Sequence, residues 1–218
     1  MNRKKYTKKA LIISIAIMLF WISLGTGTTL AWFIDTTPAV KNTFDIGELS
    51  LAVSYKRLPA DEYTPVDSNT AVFAKDALYE PGYTEIVYLQ IQNVGEVDFE
   101  YKLSVDMVDH KDSVNIYGMN LHLPEYLRYG VVFADSEEAL QRPLAQQMAD
   151  QNFDSAHLNQ YTKKDTVALA PGQIRYVMLV LYMPKEVGNA ANYHKGAPVP
   201  WIDLGLTVFA QQAGAPLN

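Results

Sequence analysis

An all-β fold, a jelly-roll-like β-sandwich with a helical insertion and a signal peptide in front of it, is predicted by three features of this 218-residue chain. Apolar and polar residues alternate at period two through several short segments, Pro-Gly turns recur just ahead of such segments, and the chain opens with a basic stretch followed by an apolar one.

The opening segment comes first. Arg3, Lys4, Lys5, Lys8 and Lys9 precede an apolar run from Ala10 to Leu24, the order of a secretory signal. That run has 15 residues, whereas a helix needs about 20 to span the hydrocarbon core. Export is therefore favoured over a permanent anchor. Small and polar residues follow from Gly25 to Thr29, and Thr29 and Ala31 have the small-x-small spacing of a cleavage site. Residues 1–32 read as signal peptide, with cleavage at Ala31, Trp32 and Phe33, so that the mature chain begins at Trp32 or Phe33.

Cleavage would leave 13 Lys and Arg (18 less the five in the signal) against 24 Asp and Glu, a net charge of −11. Nucleic acid and anionic lipid repel such a chain, so neither is expected as a partner. There is no Cys, which excludes disulfides, thiol catalysis and thiolate metal sites. The core alone must hold the fold, and a chain of this size buries about 70% of its unfolded surface.

Strands are predicted where the alternation is cleanest. Leu49, Leu51 and Val53 share one face; so do Val87, Leu89 and Ile91, and then Phe99, Tyr101, Leu103 and Val105. Asn93-Val94-Gly95-Glu96 lies between the last two sets, as a hairpin or a sheet-crossing turn. Ile174 to Met183 is apolar at nearly every position, as in a strand buried on both faces. The last strand spans Trp201 to Ala210, with Ile202, Leu204, Leu206 and Val208 inward. Glu80-Pro81-Gly82 and Ala170-Pro171-Gly172 are matching type II turns.

Two segments break the pattern. From Asp135 to Asn159 helix formers replace alternation, with Pro143 ending one helix or starting a second. Asp61 to Ala77 is a polar, turn-rich loop. The domain organisation is thus a signal peptide (1–32), an N-terminal arm (33–46) and a sandwich (47–218) with a helical insertion near 135–159.

Catalytic patterns are lacking. His110, His122, His157 and His194 are scattered, and no HExxH, GxSxG or P-loop occurs. Asp106, Asp109, His110 and Asp112 make the one dense polar cluster. Its oxygen and nitrogen donors suit a divalent cation, but its spacing is not that of an EF-hand loop, and a solvated loop is the plainer expectation. No metal, cofactor or catalytic residue is assigned. The 14 Tyr and 3 Trp could stack on sugars, yet most of the Tyr fall within strands, where packing is their commoner use.

The stretch from Gly25 to Val53 resembles the N-terminal region of the TasA, CalY and camelysin family of Gram-positive bacteria. The matching elements are Phe33-Ile34-Asp35, Asn42-Thr43-Phe44 and Gly47-Glu48-Leu49-Ser50-Leu51. Similarity continues from Glu80 to Val105 and from Leu169 to Gln212, and together these pieces cover roughly half the chain. The sequence departs from the family in having Trp32 before Phe33 and Pro38 inside the arm.

The resemblance implies a secreted protein of the cell surface or biofilm matrix, released by a specialised signal peptidase. It further implies head-to-tail self-assembly into fibres, in which a freed N-terminal segment adds as a strand to the next subunit, alongside other matrix proteins as partners. The donor arm would carry Phe33, Ile34, Asp35, Val40, Asn42, Thr43 and Phe44, with Pro38 at a bulge or between two paired stretches. A monomeric surface or carbohydrate-binding module is the alternative, followed by a camelysin-like metalloprotease, for which this chain lacks a zincin motif.

Overall fold

Period-two alternation in the sequence becomes two β-sheets around a shared core. The computed structural model describes residues 41–45, 49–58, 60–75, 77–149, 153–162 and 168–213, all within the unit Pro38–Asn218. The expected signal peptide, the cleavage residues Ala31, Trp32 and Phe33, and the arm residues Ile34, Asp35 and Val40 lie outside the described residues. No helix among those described is long and apolar enough to cross a membrane.

In chain order the strands are β1 (Thr43–Asp45), β2 (Leu51–Lys56), β3 (Thr64–Pro65), β4 (Thr84–Asn93), β5 (Phe99–Lys111), β6 (Ser113–Val114), β7 (Asn120–Leu121), β8 (Arg128–Ala134), β9 (Asp154–His157), β10 (Ile174–Tyr182) and β11 (Trp201–Gln212). One sheet has the order β1-β11-β5, the other β3-β2-β4-β10-β8-β9, and β6 pairs with β7 alone. β1 runs parallel to β11, and every other pairing is antiparallel.

The inward faces are the ones the alternation predicts. Val87, Leu89 and Ile91 of β4 and Val177, Leu179 and Leu181 of β10 share one cluster with Tyr101, Leu103 and Val105 of β5 and Leu206 and Val208 of β11. All are buried, and each fully buried aliphatic side chain contributes about 1.5–3 kcal/mol. Asn93 settles the turn between β4 and β5 as a crossing from one sheet to the other. Its Nδ2 donates to the carbonyls of Val97 (2.8 Å) and Leu169 (2.7 Å), and its Oδ1 accepts from Gly95 N–H (2.9 Å). Both Pro-Gly turns form: Gly82 and Gly172 have φ of 92° and 77°, and Tyr83 and Gln173 N–H donate to the carbonyls of Glu80 and Ala170.

β10 is buried on both faces because the 135–159 segment covers its outer side. Met178 and Val180 form a second cluster with Val132 and Leu140, against which Leu144 and Phe153 pack. The helical part is smaller than expected: a 3-10 turn, Glu138–Leu140, and one short helix α1, Leu144–Met148, which Pro143 precedes. Residues Asp154–His157 are instead strand β9, paired with Arg128–Val131 of β8. The sequence Asp-Ser-Ala-His has no apolar alternation to announce a strand, and backbone pairing at the sheet edge decides its conformation. Phe153 reaches its seat because β8 has glycine there. A Cβ on Gly130 would stand 2.1 Å from the Phe153 ring.

Candidate functional site

Asn42 is where the arm joins the domain. It is buried, and its amide is fully used: Nδ2 donates to the carbonyls of Asp67 and Thr70, both at 2.8 Å, while Oδ1 accepts Leu206 N–H at 2.9 Å. Its own N–H donates to Ser68 O (3.1 Å). The receiving loop is shaped by Asp67, whose Oδ1 accepts from Asn69 N–H and Thr70 Oγ1, both at 2.8 Å. The Thr70 hydroxyl holds the Asp67 carboxyl below the usual carboxylate range, with help from the Asn69 amide. A loop that looks merely polar in the sequence is thus the cradle for Asn42.

From Asn42 the chain continues directly into β1. Thr43, Phe44 and Asp45 pair with Thr207, Val208 and Phe209, so the C-terminal end of the predicted arm, Asn42, Thr43 and Phe44, lies on the domain's own β11. Among the described residues β1 covers three of the twelve positions of β11 on that edge. The edge from Trp201 to Gly205 has no described strand beside it, and Trp201 is exposed. A row of N–H and C=O groups on such an edge is a template for strand addition.

The predicted acidic cluster is divided by the fold. Asp106 sits on the outer face of its sheet, where its carboxylate accepts from Ser104 Oγ and from Thr207 Oγ1 (2.5 Å). Asp109 accepts from His110 N–H (2.8 Å). His110 and Asp112 go elsewhere, together with His122. The register of β5 on β11 shifts between Asp203 and Leu204, which pair with Asp109 and Met107, so Val108 is an extra residue in β5. A bulge reverses the inside-outside order beyond it and re-aims side chains. His110 consequently pairs with Ile202, a buried residue, instead of joining Asp106 on the outer face.

His122 follows β7 and meets His110 there. Their rings are 4.7 Å apart at 80°. Asp112 Oδ1 lies 2.8 Å from His122 Nδ1 and 3.5 Å from His110 Nε2, and Asn120 Nδ2 donates to Asp112 Oδ2 (3.3 Å). The His122 hydrogen bond, more than any other influence, holds the Asp112 carboxyl below its usual range. The histidines that look scattered along the chain therefore include a close pair, and His122 is the member that spacing alone misses. The only local signal is the acceptor side chain of Asp112 ten positions before it.

A third feature is an open cleft of about 900 Å³ lined by Tyr55, Arg57, Glu62, Tyr83 and Glu85. Arg57 and Glu85 are paired across it at 3.4 Å, and Tyr83 Oη donates to Glu85 (3.0 Å).

No protein-family model matches the chain, and no curated protein matches it.

Proposed function

We propose that this chain is an exported structural protein of the cell surface or biofilm matrix, a jelly-roll-like sandwich of the TasA, CalY and camelysin kind. Its subunits join by donation of the N-terminal arm, without catalysis. The carrying observation is the short β1 on the long β11. In the same parallel register, a strand lying upstream of Thr43 would run beside Trp201–Leu204, where no described strand pairs with β11 on that side, so this stretch is a place where an arm can add. Backbone hydrogen bonds would give affinity and alternate side chains would give register. The exposed Val114, Ile116, Tyr117 and Met119 of the β6–β7 hairpin offer a further apolar surface for a neighbour.

Electron microscopy and mass spectrometry of the exported protein test this. Material beginning at Trp32 or Phe33 should form filaments, and a variant lacking residues 33–40 should stay folded and short. The deletion must stop before Asn42, whose side chain belongs to the domain. Filaments of normal length from the deletion variant would rule out arm donation.

A second reading, a monomeric surface or carbohydrate-binding module, is favoured by the tyrosine-lined cleft at Tyr55 and Tyr83. It predicts saturable glycan binding that Tyr55→Ala abolishes, with no dependence on the arm.

A further inference from the structure

We propose that His110, Asp112 and His122 form a binding site for a borderline divalent cation of the Zn²⁺ class, tying the end of β5 to β7. The inference is independent of the assembly mechanism.

Donor chemistry points to the ion. Two imidazole nitrogens and one carboxylate oxygen are the ligands Zn²⁺ takes at sites that keep further positions for solvent. Hard cations such as Ca²⁺ and Mg²⁺ prefer sets made of oxygen alone. Ligand atoms about 2.0–2.1 Å from a tetrahedral ion are about 3.3 Å from each other. The three donor atoms here lie within 4.8 Å of one another, and the His110–Asp112 separation is already 3.5 Å. Side-chain movement of no more than about 1.5 Å closes the set. That movement is open to them, since each of the three side chains retains about a third of its exposure.

The fold supplies the convergence. Val108 is the extra residue that moves His110 off the outer face, and bulges of this kind recur beside functional sites. Asp112 occupies the single residue between β5 and β6, and the hairpin of β6 (Ser113–Val114) with β7 (Asn120–Leu121) returns the chain so that His122 faces it. Asn120 donates to the Asp112 oxygen that His122 does not use, an orienting contact of the sort that surrounds metal-binding carboxylates. On binding, the ion takes the place of the hydrogen between His122 Nδ1 and Asp112 Oδ1. The ring coordinates through Nδ1 as the neutral tautomer with its one proton on Nε2, and any second ring proton is released to solvent.

The test is calorimetric titration of the untagged full chain, held in mild detergent, with zinc chloride and separately with calcium chloride. One equivalent of Zn²⁺ should bind, Ca²⁺ should not compete, and Co²⁺ should show the intense visible absorption of a low-symmetry site. His110→Ala, Asp112→Asn and His122→Ala should each weaken Zn²⁺ binding by at least about tenfold, with circular dichroism unchanged. Asp106→Asn and His157→Ala should bind as the parent does. Absence of saturable zinc uptake would overturn the proposal, as would parental affinity in the His110→Ala and His122→Ala variants.

Discussion

The carbonyl oxygen of Lys41 lies 2.1 Å from the point where a Cβ on Gly205 would stand. β11 therefore needs glycine opposite the residue that leads the arm into Asn42 and β1, and Gly205 is chosen here for space. Gly205→Ala should force the Lys41 backbone outward and strain both the Asn42 contacts and the parallel pairing of Thr43. Overpacking of this kind costs about 1–3 kcal/mol. Urea unfolding would measure it, and cleavage near Lys41 by a limiting amount of trypsin should quicken in parallel. An alanine variant with parental stability and protease resistance would contradict the close approach.

Asn42→Ala should destabilise the domain by about 2–4 kcal/mol, because it leaves Leu206 N–H and the Asp67 and Thr70 carbonyls without their partner in a buried place. Asn42→Asp is the sharper variant. It keeps an acceptor for Leu206 N–H but brings a carboxylate against two carbonyl oxygens, and so should be at least as harmful as alanine in chemical unfolding.

Lys56 is nearly buried, paired with Glu137 and with its ammonium 4.7 Å from the centre of the Tyr63 ring. Glu137 lies just ahead of the 3-10 turn that covers β10, so this pair fastens the insertion to β2. Removing one partner leaves the other charge with little water, and Glu137→Ala should cost about 3 kcal/mol. Lys56→Met combined with Glu137→Ala should recover most of that loss. Thermal unfolding of the single and double variants decides the matter, and a double variant no better than the single would show that burial of the lysine is not the cause.

Alkaline pH should unfold the domain through its tyrosines. Burial raises the phenols of Tyr63, Tyr79, Tyr83 and Tyr129 well above their usual range, and the nearby Glu85 charge adds to the rise at Tyr79 and Tyr83. In the unfolded chain these groups ionise near pH 10, while the folded chain keeps their protons. The unfolded state then binds fewer protons, so stability is full below about pH 10 and falls as pH climbs toward the folded values. Urea midpoints should be level up to that pH and then drop. Spectrophotometric titration should show these phenols ionising only on unfolding. Early ionisation of every tyrosine in a still folded protein would be the contrary result.

The long strands were legible because a buried face writes itself into the sequence. Val87, Leu89 and Ile91, or Leu204, Leu206 and Val208, alternate since one side meets the core, and Val177 to Leu181 are continuously apolar since both sides do. Strands β1 and β9 carry no such mark. Thr43–Asp45 and Asp154–His157 are held by backbone pairing with neighbours far along the chain, and that pairing is indifferent to side-chain pattern. His110 and His122 stayed apart in the sequence for a different reason. An extra residue at Val108 shifts the parity of a strand, and no residue type announces such a shift. Asn42, by contrast, stands out in the sequence only through the family resemblance, and its physical role depends on the carbonyls of a loop that has no periodicity.

A subunit that keeps the edge of β11 but lacks residues 33–40 should act as a chain terminator. In head-to-tail assembly each subunit gives an arm and receives one through different surfaces, so the contact does not close and growth is open-ended. The truncated subunit retains Lys41, Asn42 and β1, hence a folded domain whose β11 can accept an arm beside Trp201–Leu204, but it has none to pass on. Mixed with the exported chain during assembly, it should occupy one end of each filament and halt growth there. Mean length in electron micrographs should shorten progressively as its share rises, well before it equals the parent. A monomer whose arm folds back on itself gives no filaments to shorten, and fibres built through the apolar hairpin at Ile116 and Tyr117 would incorporate the truncated subunit without shortening. Unchanged length in an equal mixture would therefore remove arm donation as the mechanism.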